Sequence, residues 1–226
     1  MRLFKYFSQT KLFVSTLLIK NYNNFVCEAP KKYYSIKSIK QCYYENNIYL
    51  DIYNDLFNDL NNDLNNNLNN NLNNNLNNNL TSYSKYNDLT AEHLFPQSFT
   101  KQYTKANKDM HNIYLTNYYT NNLRSNKKFT QFKTENISTK IYIPCNYSRG
   151  IIARALVYMK YTYPLLNMSS VIDYNLVILW NELYPPSNYE LQKNNIICQY
   201  QGNKNIFIED TKKVELFIKR LTLTQC

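Results

Sequence analysis

From residue 56 to residue 80 the chain repeats every four positions, with Leu56, Leu60, Leu64, Leu68, Leu72, Leu76 and Leu80 separated mostly by Asn-Asn-Asn. A period of four is not 3.6, so a leucine stripe would drift by about 40° per repeat around an α-helix and could not hold one face. Asparagine also competes with the helix for backbone hydrogen bonds, and so polar a tract has little to bury. The pattern predicts a low-complexity insertion at about 58–82, disordered or frayed-helical, lodged in a surface connection where added length costs little. On either side the periodicity changes. Residues 31–56 are aromatic-rich and predict a packing helix near the repeat. Residues 94–99 form a proline-interrupted apolar run and 110–115 a short extended segment, both too short for ordinary helices. Residues 117–128 predict a helix that presents Asn121 and Arg124, three apart, on one face. Apolar spacings at 151–160 and 171–183 predict two packed helices, the first preceded by Gly150 and the second stopped by Pro185-Pro186. The resulting expectation is an α+β chain in which a small mixed element sits against a largely helical body.

Composition sharpens this only in places. Lys and Arg total 26 against 16 Asp and Glu, a formal charge of +10 that should draw polyanions. Phe95, Phe99, Phe129, Phe132, Trp180, Phe207 and Phe217 supply enough apolar bulk for one core after the repeat. Tyrosine is abundant at 23 copies, but Asn, Ile and Lys are equally favoured, and a coding bias is the simpler reading than base stacking. The five cysteines show no close metal-ligand spacing, which excludes a zinc finger and leaves room for one disulfide. The amino terminus has a basic start, an apolar core at 12–19 and Val26-Cys27-Glu28-Ala29 as a cleavage context. Residues 1–29 are therefore expected to be an export signal or a disordered leader, followed by one domain over 30–226. No run approaches the ~18 apolar residues of a membrane span, and a monomer is expected.

Only two histidines occur, and both fall in one patterned block, Glu92-His93-Leu94-Phe95-Pro96-Gln97-Ser98-Phe99 followed by Asp109-Met110-His111-Asn112-Ile113. Phosphodiester hydrolysis needs a cation on the phosphate, a base for water and a scaffold that holds both. Glu92 can offer a hard oxygen ligand to magnesium, His93 can be the base, and Asn121 can add a neutral carbonyl ligand. Neighbours on an ideal strand point oppositely, so Glu92 and His93 can share a site only if the strand bends there, which Pro96 makes reasonable. Arg149, Arg154, Lys160, Lys101, Lys105, Lys108, Lys127 and Lys128 are candidates to line a phosphate-binding cleft. Each residue also has a plainer reading, as a core histidine, a solvated acid, a helix cap or a scattered basic surface.

The order of motifs resembles the bacterial periplasmic and secreted endonuclease I family, whose catalytic unit is a ββα-metal, or His-Me, finger. The resemblance runs through the block above, then Asn121-Asn122-Leu123-Arg124-Ser125-Asn126, Arg149-Gly150-Ile151-Ile152-Ala153-Arg154-Ala155 with Tyr158-Met159, Trp180-Asn181 with Pro185 and Glu190, and Gln201-Gly202-Asn203-Lys204-Asn205-Ile206-Phe207-Ile208. It implies a magnesium-dependent endonuclease acting on DNA by one-metal hydrolysis, with RNA left open as a second substrate, and the lack of a base-reading motif points to sequence-nonspecific cutting. In that frame Glu92 and Asn121 are the metal ligands and His93 is the general base. Arg124 is the basic residue facing the leaving side of the phosphate, while His111 and Asn112 support the site from behind. Arg154 and Glu190 become packing or substrate-side residues of the helical body. The chain departs from the family pattern where Tyr118-Tyr119-Thr120-Asn121-Asn122 replaces Gly-Glu-Val-Asn-Gly, and where Lys204 and Ile206 replace arginine and proline. These changes keep a second reading open, a nucleic-acid-binding relative with weak or lost turnover. A third, an interaction protein built on the Leu-Asn repeat, rests on the tract alone.

Overall fold

The computed structural model describes residues 28–48, 50–53, 89–132 and 140–223. The Asn/Leu insertion expected at 58–82, and all but the last residues of the expected leader, lie outside them.

The chain is largely helical, with a small ββα element packed against the helices. Strand β1 (Leu89–His93) pairs antiparallel with β2 (Ile113–Asn117), placing Glu92 opposite Tyr114 and His93 opposite Ile113. Helix α3 (Tyr118–Arg124) follows β2 directly, after α1 (Ile36–Glu45) and the single turn α2 (Gln97–Thr100). Asn117 starts α3 by accepting from the Thr120 amide at 2.8 Å. Two residue pairs, β3 (Lys128–Phe129) and β4 (Ile141–Tyr142), form a minimal parallel ladder beyond it. The body comprises α4 (Asn146–Thr162), α5 (Tyr174–Leu183), α6 (Asn188–Gln201), α7 (Ile206–Glu209) and α8 (Lys212–Leu223).

Helix α4 is the axis of the molecule. Its residues from Gly150 to Met159 are buried on every side, as expected of a helix with neighbours all round rather than one apolar stripe. The main core gathers Phe95, Phe129, Leu156, Tyr158, Trp180, Phe207 and Phe217 around it. A smaller cluster, with Ile39, Tyr43, Ile113, Leu115 and Ile197, holds α1 against β2 and α6.

Four expectations about elements change in the structure. The helix expected over 117–128 is shorter and ends at Arg124, because Ser125 takes φ 49°, outside helical space. Among its described residues, the segment expected to pack as a helix over 31–56 is helical only in α1, and 54–56 lie outside the described residues. Helix α1 stops at Glu45, Asn47 turns the chain at φ 55°, Asp51 meets β2 through a parallel bridge to Leu115, and Ile52 and Tyr53 form a turn. Gly150 lies inside α4 rather than before it, and a Cβ there would fall 2.2 Å from the Tyr184 carbonyl oxygen. Met110 and His111 belong to a 3-10 turn, Met110–Asn112, and the extended run begins only at Ile113. The stop before Pro185-Pro186 does appear, with α5 ending at Leu183. Cys42, Cys145 and Cys198 form no disulfide among the described residues; Cys27 and Cys226 lie outside them.

A buried polar cluster ties the turn before β2 to the body. Asp109 accepts from the Tyr158 and Tyr163 hydroxyls at 2.9 Å each, from Gln201 Nε2 at 3.0 Å and from the His111 amide at 2.9 Å. The His111 ring stacks 4.4 Å from Tyr158, and its Nε2 lies 3.3 Å from the Asn203 carbonyl, which can only accept. Burial pushes the His111 pKa down to about 3, with Lys193 acting in the same direction. A histidine buried neutral binds no proton that the unfolded chain would bind below its ordinary value. Its contribution is therefore fully present above about pH 6.5 and is lost as pH falls. Stability should decline by about 1.4 kcal/mol for each pH unit below that value. Thermal unfolding between pH 7 and pH 5 measures it, and a flat profile would mean that His111 takes up a proton in the folded state.

Candidate active site

Strand β1 ends at His93, the chain bends at Leu94 and Phe95, and Pro96 opens α2. Asn112 holds this bend in place: its Oδ1 accepts from the Phe95 amide at 2.7 Å and its Nδ2 donates to the Phe95 carbonyl at 3.1 Å. The bend lets adjacent Glu92 and His93 face one cleft of about 310 Å³, together with Asn121, Arg124, Ser125 and Gln97. Both are nearly buried at its floor.

His93 Nε2 lies 3.0 Å from the Asn107 carbonyl oxygen, with the Gln97 amide 3.3 Å away. A carbonyl only accepts, so Nε2 carries the hydrogen and the lone pair sits on Nδ1. Asn107 belongs to the 3-10 turn Ala106–Lys108, and its side chain is hydrogen-bonded by the buried Thr100 hydroxyl. Burial holds the His93 imidazole below its ordinary pKa, and the Arg124 charge adds to that. It is thus neutral at pH 7.

Asn121 is turned by its donor end. Its Nδ2 gives hydrogen bonds to Thr90 Oγ1 at 2.8 Å and to the Ala91 carbonyl at 3.2 Å, and among the described residues no hydrogen bond engages Oδ1. Glu92 is turned by one oxygen: Oε1 receives the Tyr53 hydroxyl at 2.8 Å and pairs with Arg124 Nη1 at 3.0 Å. Burial raises the Glu92 carboxyl above the usual range, and Arg124 and Tyr53 pull it back.

Arg124 lines the cleft and is paired with Glu92. It is 1 % exposed, donates to the His93 carbonyl at 2.9 Å and to the Leu94 carbonyl, and rests 4.4 Å from the Phe129 ring. The other basic candidates separate from the cleft. Arg154 is locked to Glu190 inside the body, Arg149 lies over Trp180, and Lys160 caps the Pro164 and Leu166 carbonyls. None of the eight lines the cleft. His111 and Asn112 brace the turn and touch no cleft surface.

Residues 7–212 match the family model described as Endonuclease I. The chain belongs to the endonuclease I family. Among curated endonuclease I relatives it is 28% identical over 119 residues to Endonuclease-1 of Buchnera aphidicola subsp. Baizongia pistaciae (strain Bp), an alignment covering 47% of this chain and 48% of that one. It is 29% identical over 120 residues to a periplasmic deoxyribonuclease of Aeromonas hydrophila, covering 48% and 50%. An extracellular deoxyribonuclease of Aeromonas hydrophila is 29% identical over 123 residues, covering 49% and 53%. The chain thus spans about half the length of the curated relatives it matches. Its departures from the endonuclease I pattern fall away from the cleft. Tyr118 and Tyr119 point to solvent from α3, Lys204 pairs with Glu209, and Ile206 takes the first position of α7.

Two contributors had no local signal. Tyr53 reaches Glu92 across 39 residues of sequence, and Asn107 acts through its backbone carbonyl, which any residue type would supply. Among the described residues no three of His, Cys, Asp and Glu gather as a metal cage. The oxygens on offer are one carboxylate and one amide, a set suited to a hard cation that keeps several of its waters.

Proposed function

We propose that this chain is a magnesium-dependent endonuclease that hydrolyses phosphodiester bonds of DNA, and of RNA, without sequence preference. The observation that carries this reading is that Glu92, His93 and Asn121 face one cleft and that, among the described residues, no side-chain hydrogen bond or ion pair engages Glu92 Oε2, Asn121 Oδ1 or His93 Nδ1. Side chains hold Glu92 through Oε1, Asn121 through Nδ2 and His93 through Nε2, and the His93 amide also hydrogen-bonds the Glu92 carboxyl, so a carboxylate, an amide oxygen and an imidazole lone pair are presented to the cleft.

Glu92 and Asn121 would hold the ion, which when bound supplies positive charge to polarise the phosphate and stabilise the leaving oxygen. His93 Nδ1 accepts the proton of the attacking water, the new P–O bond forms, and the old one breaks with its electron pair on the leaving oxygen. The Asn107 carbonyl keeps the ring from turning as it gains charge. Arg124 acts through Glu92, holding the carboxylate ionised in a buried position. The sequence carries no recognition-helix or base-reading motif, which supports nonspecific cutting. The names of the Aeromonas relatives, periplasmic and extracellular deoxyribonuclease, together with the amino-terminal pattern, support an exported nuclease. No helix among the described residues is long and apolar enough to cross a membrane.

Plasmid DNA and single-stranded RNA incubated with magnesium, and again with chelator, test the reading. Cleavage that appears with magnesium and stops with chelator is expected; intact nucleic acid under every divalent-metal condition overturns it. Glu92→Gln replaces a hard anionic oxygen by an amide. Because even residues behind a ligand typically contribute about 10–100-fold to metal affinity, a magnesium titration of this variant should shift by roughly tenfold or more. An unmoved titration would remove Glu92 from the ligand set.

A further inference from the structure

We propose that Tyr53 is a positioning residue for the metal-binding carboxylate: together with Arg124 it captures Glu92 Oε1 and so aims the second oxygen into the cleft. This rests on the reading of Glu92 as a ligand. The Tyr53 hydroxyl gives its hydrogen to Oε1 at 2.8 Å, and Arg124 Nη1 meets the same oxygen at 3.0 Å. Among the described residues, neither a side-chain hydrogen bond nor an ion pair engages Oε2. A guanidinium alone leaves a carboxylate free to swivel about its terminal torsion, which is broad. A second donor, arriving from another direction, removes that freedom.

Tyr53 is itself held from several sides. Asp51 Oδ1 accepts from the Tyr53 amide at 3.1 Å and from Thr116 Oγ1 at 2.6 Å, while Oδ2 takes the Asn117 amide at 3.2 Å and Asn117 Nδ2 at 3.0 Å. Ile52 donates to the Leu115 carbonyl at 3.0 Å, and the Tyr142 ring lies 4.9 Å from that of Tyr53. The phenol is buried, so its hydroxyl needs this partner and has little freedom to find another. The site therefore extends beyond the ββα element, to a segment that precedes the Asn/Leu repeat in sequence.

Mn²⁺ binding to the whole chain without nucleic acid, followed by the loss of the free-ion electron paramagnetic resonance signal, tests this apart from turnover. Tyr53→Phe removes one oxygen atom, Glu92→Gln removes the ligand, and the double variant separates the two. Tyr53→Phe should weaken Mn²⁺ about tenfold, with cleavage at saturating metal restored to within about threefold and the KM for DNA unmoved. In the Glu92→Gln background the same change should add nothing, because its only route to the metal is gone. Thermal melting of each variant verifies that folded protein is compared. Glu92→Gln weakening Mn²⁺ while Tyr53→Phe leaves it intact overturns the role of Tyr53 and spares the nuclease reading. Equal weakening by Tyr53→Phe with and without Glu92 overturns it too, as an effect on the fold. Mn²⁺ binding unaltered by Glu92→Gln, or no binding by the unaltered chain, brings down the ligand assignment and the role of Tyr53 together.

Discussion

Replacing His93 by alanine is expected to reduce cleavage by about 100- to 10,000-fold, the usual range for losing a general base, while Mn²⁺ affinity and melting temperature stay close to those of the unaltered chain. The ligand oxygens belong to Glu92 and Asn121, and each is oriented by a partner other than the imidazole. What the variant lacks is the Nδ1 lone pair that the Asn107 carbonyl exposes by holding Nε2–H. The pH profile gives a second readout. Burial lowers the His93 pKa, so the base is unprotonated over a wider range and the acid limb should lie below pH 6.5 rather than at it. Glu92, whose carboxyl burial raises, must also lose its proton on that limb, which should make it steep. Initial rates of plasmid nicking across pH 4.5–8 would reveal both effects. Turnover of the alanine variant within about threefold of normal would mean that another group takes the proton.

The second large effect belongs to stability. Glu190→Ala should cost about 3–5 kcal/mol, because it leaves the Arg154 guanidinium buried with no counter-charge. The pair is two-pronged, with Nε on Oε1 at 2.7 Å and Nη2 on Oε2 at 2.6 Å, and both side chains are 1 % exposed. Arg154 Nη1 also donates to the Tyr184 carbonyl at 2.9 Å, so its loss of balance would be felt where α4 meets the end of α5. At about 2–4 °C per kcal/mol for a chain of this size, the melting temperature should fall by roughly 10 °C. The double variant Arg154→Met/Glu190→Leu should recover much of that loss, since apolar side chains of similar volume need no partner. Calorimetry on the three variants decides it. A Glu190→Ala protein that melts normally would mean that the guanidinium finds water or another acceptor in the body.

Local pattern carried the reading of the site as far as side-chain type and near spacing can carry it. Glu92, His93 and Asn121 do converge on one cleft, and the bend that their adjacency demands occurs just after His93, before Pro96. The helical body and a small mixed element were legible because periodicity reports which face of an element is buried, while the ββα arrangement itself came from the resemblance to the endonuclease I family. Arg124, Arg149 and Lys160 were not legible as buried or structurally engaged, and for Arg154 packing and substrate-side roles could not be told apart, because a positive residue reads the same on a surface, behind a carboxylate or inside a body helix. Tyr53 was hidden in a chain rich in tyrosine, and its partner lies 39 residues away. Asn107 could not be read at all, as a backbone carbonyl has no letter in the sequence. Gly150 was read as a boundary, where its actual role is clearance for a neighbouring carbonyl.

That clearance bears on the whole chain, which contains only two glycines in 226 residues. Gly150 fills a gap in which nothing larger than hydrogen fits, and Gly202 ends α6 at φ 85°. Left-handed backbone elsewhere among the described residues falls to Asn47 and Ser125, which lack glycine's freedom there. Ser125 stands on the rim of the cleft, one residue past Arg124, in a conformation that costs of order 1–3 kcal/mol for a residue with a Cβ. A molecule so sparing of glycine carries backbone tension at the edge of its reacting groups, held there by the burial of Arg124 and the packing of Phe129.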